Sequence, residues 1–224
     1  MLLPDPASGP ERNAHCTEKK TGLSSVRLSS VSAVEAILQS KPEARERILD
    51  TAYELFCRRA IRDVGVDEVI EQAGVAKATL YRHFPSKDCL VIAFLERREE
   101  RWTLAWVEAE ARRRGTTPEE QLLAIFELFD EWFQRDDFEA CSFINVMLEM
   151  GRAHPAGRAS VRHLASIRTV VGRLAEEAAL RDPASFAHSW HILMKGSIVS
   201  ATEGDAEAAQ RAQSMARLLI EQHR

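Results

Sequence analysis

The sequence predicts an all-helical protein in which a small amino-terminal helical domain precedes a larger helical one. Three observations predict it. Apolar residues recur at helical spacing from about residue 31 to the carboxy terminus, no alternating run is long enough to make a strand, and few of the 10 Gly and 8 Pro interrupt the long segments. With 224 residues and 45% hydrophobic content the chain can bury a core, which excludes disorder throughout. Without an internal repeat, the helices form a bundle and not a solenoid.

Residues 1–39 read as a flexible extension, 40–88 as the small domain and 89–224 as the large one. The first 29 residues are rich in Pro, Gly, Ser and Thr and show no sustained period. Val31, Val34, Ile37 and Leu38 then suggest a short helix. Ser40, Pro42 and Glu43 open the first long helix, since Ser with Glu three places on can form a capping box. Its stripe is Ile48, Leu49, Ala52, Leu55 and Phe56. Short helices follow over 66–72 and 76–84. Pro85 ends the second, and Ser86 caps a long helix running past Trp102 and Trp106 to about Arg114. Further helices are expected at 119–135, 138–150, 158–180, 184–202 and 206–222.

The stretch GVAKATLYRHFPSKDCL, Gly74 to Leu90, carries Lys77, Arg82, His83 and Lys87 with no acid before Asp88. Gly74 stands where a sharp turn between two helices needs positive φ. Val69, Ile70, Val75 and Leu80 are spaced to lock those helices at a steep angle. That leaves Lys77, Ala78, Thr79, Tyr81, Arg82 and His83 on the outward side. Small Ala78 permits close approach, and the others offer donors to phosphate oxygens or base edges, as a helix in a major groove requires. Tyr81 and His83 could instead pack on the neighbouring helix. Lys87 opposes the dipole of its own helix, which a phosphate partner would explain.

RERILDTAYELF, VDEVIEQAGVAKATLYRHFPSKDCLVIAFL and the long helix after them resemble the DNA-binding domain of the TetR family of transcriptional repressors. The likeness is close from about Ala44 to Leu95. CSFINV is similar to a stretch in one branch of the family's regulatory domains. The resemblance implies a homodimer whose helix-turn-helix heads bind adjacent major grooves of double-stranded operator DNA. It also implies a carboxy-terminal domain that dimerises and often holds a small-molecule inducer. Carried over by position, Lys77, Thr79, Tyr81, Arg82 and His83 would lie on the recognition helix, and Lys87 would meet a phosphate. Two positions depart from the pattern. Ala60 stands where Gly usually follows the first helix, and Ala76 where Ser often caps the recognition helix.

Charge divides unevenly. Residues 41–101 hold twelve bases and twelve acids, whereas 102–224 hold fourteen bases and eighteen acids, so the acid excess behind the net charge of −4 lies in the large domain. There, Phe126, Phe129, Trp132, Phe133, Phe143, Met147, Trp190 and Met194 could line an inducer pocket or form an ordinary core. Phe186, Ile198, Ala201, Ala208, Ala212, Met215 and Leu219 suit a dimer interface or packing within one subunit.

No metal site and no cofactor are expected, because His188 and His191 lack a third ligand at matching spacing. The four cysteines, at 16, 57, 89 and 141, share no ligand spacing and read as buried thiols. No apolar run of membrane-spanning length occurs and no secretory leader is evident, so the chain reads as soluble and cytoplasmic. An enzyme would need a nucleophile and base or a metal cluster, and neither motif is present. An adaptor that binds ligand without DNA should have a neutral recognition face. Arg12, Lys19, Lys20 and Arg27 could carry the extension into a minor groove, or the extension is a dispensable tail.

Overall fold

The computed structural model describes residues 43–224, in which every regular element is helical. The expected arm, the short helix at 31–38 and the opening at Ser40 and Pro42 lie outside these residues. Helix α1 (Ala44–Arg58) is preceded by Glu43, whose side chain makes no capping bond, and buries Ile48, Leu49, Ala52 and Phe56. Its end follows from the departure at Ala60. A left-handed residue costs about 1–2 kcal/mol when it is not Gly. Arg59 (φ −137°, ψ 153°) and Ala60 (φ −58°, ψ 144°) instead leave the helix extended and enter a 3-10 turn at Ile61–Asp63.

Helices α2 (Val66–Ala73) and α3 (Lys77–His83) follow, then α4 (Lys87–Arg98). Ser86 caps α4 as its sequence predicts, its Oγ accepting from the Cys89 amide at 3.2 Å. Leu80 of α3 and Leu90, Val91 and Phe94 of α4 close the head's core with the α1 stripe, and Phe94 meets Phe56 edge to face at 5.5 Å. The domain boundary expected between 88 and 89 falls in the first turn of α4, so one helix serves both head and body.

The long helix expected to reach Arg114 changes winding on the way. Glu99–Glu108 is a π segment, followed by α5 (Ala109–Arg114). Its i→i+5 bonding includes the Ala109 amide donating to the Leu104 carbonyl. More residues per turn than the α-helix's 3.6 bring residues four apart nearly into line. Trp102 and Trp106 thus lie with ring centroids 5.8 Å apart. Nothing in the apolar spacing of the sequence distinguishes this winding from an ordinary helix.

Helix α6 (Pro118–Phe133) opens with a capping box, Thr117 and Glu120 bonding to each other's backbone amides. Helix α7 (Ser142–Met150) starts four residues later than the apolar pattern suggests, because Ala140 takes φ 59° and interrupts the chain. Phe138 is apolar for another reason: it packs on Trp132 at 5.0 Å and Phe133 at 5.1 Å from a non-helical connection. Helix α8 (Pro155–Glu177) starts earlier than expected, with Pro155 at a position where the missing amide costs nothing. A Cβ on Gly157 would lie 1.9 Å from the Gly151 carbonyl oxygen, so only Gly allows this turn to close.

Helices α9 (Pro183–Thr202) and α10 (Ala208–His223) pair antiparallel, and Phe186 near the start of one meets His223 at the end of the other at 5.4 Å. With α6 and α8 they enclose a dense core of Phe126, Phe129, Phe186 and Trp190, each 1% exposed or less. No helix among the described residues is long and apolar enough to cross a membrane.

Candidate nucleic-acid interface

The turn between α2 and α3 is built by one residue. Gly74 takes φ 62° and ψ 44°, its amide donating to the Glu71 carbonyl while the Val75 amide donates to the Ile70 carbonyl. This closes the exposed carbonyl end of α2 and turns the chain sharply. Val69 and Leu80 are buried, Ile70 and Val75 half-buried, so the two short helices stand on a shared apolar contact. Ala76 (φ −75°, ψ 148°) supplies no side-chain cap, and the Ala76 carbonyl accepts from the amides of Thr79 and Leu80. The free amino-terminal amides of α3 and their partial positive charge are thus left to solvent or an anion.

Lys77, Ala78, Tyr81 and Arg82 are exposed on α3, while Thr79 and His83 are half-buried. Tyr81 is 41% exposed, a large ring whose hydroxyl has no hydrogen-bond partner among the described residues, on a helix seven residues long. Lys77 Nζ lies 3.1 Å from Asp67 Oδ1 of α2, and that hydrogen bond raises the pKa of the ammonium. Arg82 has no ion-pair or hydrogen-bond partner among the described residues. Lys87 is not free: its Nζ donates at 2.5 Å to the Ile61 carbonyl, leaving two of its three protons for another acceptor.

Two residues that sequence reasoning missed bear on this surface. The Arg45 guanidinium sits 5.3 Å over the Phe84 ring, beside the end of α3. Glu149, at the end of α7, holds the head from the body. The amides of Ile61 and Arg62 donate to its two carboxylate oxygens at 2.9 and 2.7 Å, and the Arg62 guanidinium donates to its carbonyl. Neither has a local signature, since both act across more than thirty residues of chain.

Residues 48–94 match the model for bacterial regulatory proteins of the tetR family. The HTH-type transcriptional activator FasR of Mycolicibacterium smegmatis is 34% identical over 96 residues, which are 43% of this chain and 43% of FasR. The HTH-type transcriptional repressor KstR of Rhodococcus jostii is 30% identical over 121 residues, 54% of this chain and 55% of KstR. The chain thus spans about half the length of these curated relatives. A crystal structure of a TetR-family transcriptional regulator from Streptomyces coelicolor covers 82% of this chain and 97% of its own, at 28% identity and a TM-score of 0.72. Residues 48–94 are thus a tetR-family domain.

In this chain the residues expected to hold an inducer do not converge on one chamber. Phe143 and Met194 border a small cavity of about 20 Å³ with Trp102, Thr103, His163 and His191, which is room for a single water. Phe126, Phe129 and Trp190 are packed core, Phe133 and Met147 lie at its half-buried edge, and Trp132 borders a separate cleft. His163 Nδ1 contacts Glu99 Oε2 at 2.5 Å. His191 lies 3.3 Å from Arg168 Nη1 with a pKa lowered to about 3, first by burial and then by Lys195, Arg168 and His188. His188 is exposed, and no group of three metal-ligating side chains occurs among the described residues.

Of the residues expected at a dimer interface, Phe186, Ile198, Ala208 and Ala212 pack inside the subunit, Ala201 and Leu219 are half-buried, and Met215 faces out. The exposed apolar face of α9 and α10 is Ile192, Val199, Met215 and Leu218, each 50–65% exposed. Exposed Gly196 lies between the first two, and nothing approaches within 4 Å of where its Cβ would be.

Burial raises the pKa values of the Cys57 and Cys141 thiols, so neither is a ready thiolate. Cys57 and Cys89 are half-buried and only Cys141 is fully buried; Cys16 lies outside the described residues.

Proposed function

We propose that the chain is a homodimeric, sequence-specific DNA-binding transcriptional regulator, a repressor released from its operator by a small-molecule ligand. The observation that carries the DNA-binding part is the outward face of α3. Lys77, Tyr81 and Arg82 stand exposed on a helix without a carboxylate, fixed from beneath by buried Leu80 and from behind by the left-handed Gly74. Such a face suits a major groove, with Lys77, Tyr81 and Lys87 toward phosphates and Thr79, Arg82 or His83 toward base edges. The sign of regulation rests on KstR, a repressor by name; FasR, an activator by name, is the competing precedent.

Two heads reach adjacent grooves only if two copies associate, and the exposed face of Ile192, Val199, Met215 and Leu218 favours α9 and α10 as the interface. Work on DNA also places the chain in the cytoplasm of its cell. Ligand-driven release requires the cavity of about 20 Å³ to enlarge, and α7, which borders it through Phe143 and holds the head through Glu149, is the element best placed to carry such a change.

Footprinting on the DNA upstream of the chain's own gene tests this function. Protection of a pseudo-palindromic site, with affinity falling steeply as salt rises, is the expected result. Binding that does not distinguish this DNA from random duplex would refute sequence-specific regulation.

A further inference from the structure

A second cleft, of about 300 Å³, opens between α1, the π segment and the connection after α6. Tyr53 and Cys57 of α1, Arg98 of α4, Trp102 and Trp106 of the π segment and Trp132 of α6 border it. Its volume is at the lower end of small-molecule sites, some fifteen times that of the first cavity. The two differ in chemistry as well: this cleft has four guanidiniums and three carboxylates in its lining, Arg58, Arg98, Arg101 and Arg135 against Glu54, Asp137 and Glu139.

Most of that charge is already spoken for. Arg58 lies 3.6 Å from Glu139, Arg135 2.6 Å from Asp137, and Arg101 3.5 Å from Asp50. Glu54 is exposed and pairs with none of the four. Arg98 is different. It is half-buried and donates to the Tyr53 hydroxyl at 3.0 Å and the Cys57 sulfur at 3.8 Å, and no carboxylate among the described residues lies within ion-pair distance of it. Neither partner is a carboxylate, and Glu139, whose pKa burial raises, feels Arg98 only as a Coulombic neighbour beyond ion-pair distance. A half-buried guanidinium without an ion-paired carboxylate favours an anion, and its planar fork matches a carboxylate.

The other wall is aromatic. Trp102, Trp106 and Trp132 form a triangle with centroids 5.4 to 6.1 Å apart, and π winding keeps Arg98, Trp102 and Trp106, each four residues on, along one side. The buried indole N–H of Trp102 has no hydrogen-bond partner among the described residues. Such a wall takes a flat apolar body by stacking or edge contact.

We propose that this cleft binds a small aromatic monocarboxylate, its carboxylate on Arg98 and its ring system against the three indoles. A ligand so placed touches α1 of the DNA-binding head and α6 of the body together. Binding is read on the free protein, so the site stands or falls apart from the regulator function.

The probe is 2-naphthoate, titrated into the full-length protein by calorimetry beside 2-naphthamide, which has the same shape and no charge. One naphthoate per chain, with the amide at least tenfold weaker, is the expected result. Arg98→Met should remove that preference. Trp106→Ala, at a half-buried wall position, should weaken acid and amide alike by threefold or more, and it carries the test if Arg98→Met does not fold. Equal affinity for acid and amide, no saturable binding, a preference that survives Arg98→Met, or affinities unchanged by Trp106→Ala would each overturn the proposal.

Discussion

At the scale of single residues, function divides between exposed groups that wait for a partner and buried groups already committed. Arg82 belongs to the first kind, exposed and unpartnered on α3. Arg82→Ala should cost about 1–3 kcal/mol of operator binding and relax sequence preference if the guanidinium reads a base. Competition between operator and random duplex measures this, and equal loss on both would assign Arg82 to the backbone. His191 belongs to the second kind. Its pKa of about 3, against 6.5 for an ordinary imidazole, means the fold holds it neutral. Its contribution is therefore complete above pH 6.5 and is lost as pH falls from 6.5 toward 3, at about 1.4 kcal/mol per pH unit. Urea melts at pH 7 and pH 5 should show His191→Gln losing about 2 kcal/mol less than the parent over that interval.

At the scale of elements, the structure turns on how helices end. Gly74 ends α2 with φ 62° and open space where a Cβ would stand, so Gly74→Ala meets no clash and pays only for its backbone. Denaturant melts should show a loss of about 1–2 kcal/mol. Helix α7 ends on Glu149, which accepts from two amides of the 3-10 turn in the head. Glu149→Ala strands both donors and should destabilise that turn by about 1–3 kcal/mol. Hydrogen exchange is the appropriate measurement: faster exchange at Ile61 and Arg62, with α8 and α9 unchanged, is the expected pattern. The helix ends were legible in the sequence where they are local, as at Gly74, Ser86 and the altered exit at Ala60. The start of α7 was not, because Phe138 is apolar through tertiary contact with Trp132 and Phe133, which mimics helical periodicity.

At the scale of the whole molecule, α9 and α10 carry apolar residues on two faces, and only one can face the core. Phe186, Ile198, Ala208 and Ala212 went inward, which leaves Ile192, Val199, Met215 and Leu218 exposed as the face of the proposed dimer. Ile192→Glu together with Leu218→Glu should give a monomer by sedimentation and weaken operator binding at least tenfold, since one head then grips one half-site. Unchanged sedimentation would move the interface elsewhere.

The sequence by itself determined the helical class, the turn at Gly74, the buried Leu80 beneath it, and the likeness of residues 48–94 to the tetR family. These rest on spacing and backbone preference within some twenty residues, which a linear reading can follow. Tertiary structure alone decided that Lys87 is held by the Ile61 carbonyl, that only Phe143 and Met194 of the aromatic and Met cluster border the cavity of about 20 Å³, and that Arg98 shares a cleft with three indoles and makes no ion pair among the described residues. Each depends on which helix faces meet across tens of residues, and helical spacing shows that a face is apolar without showing what covers it.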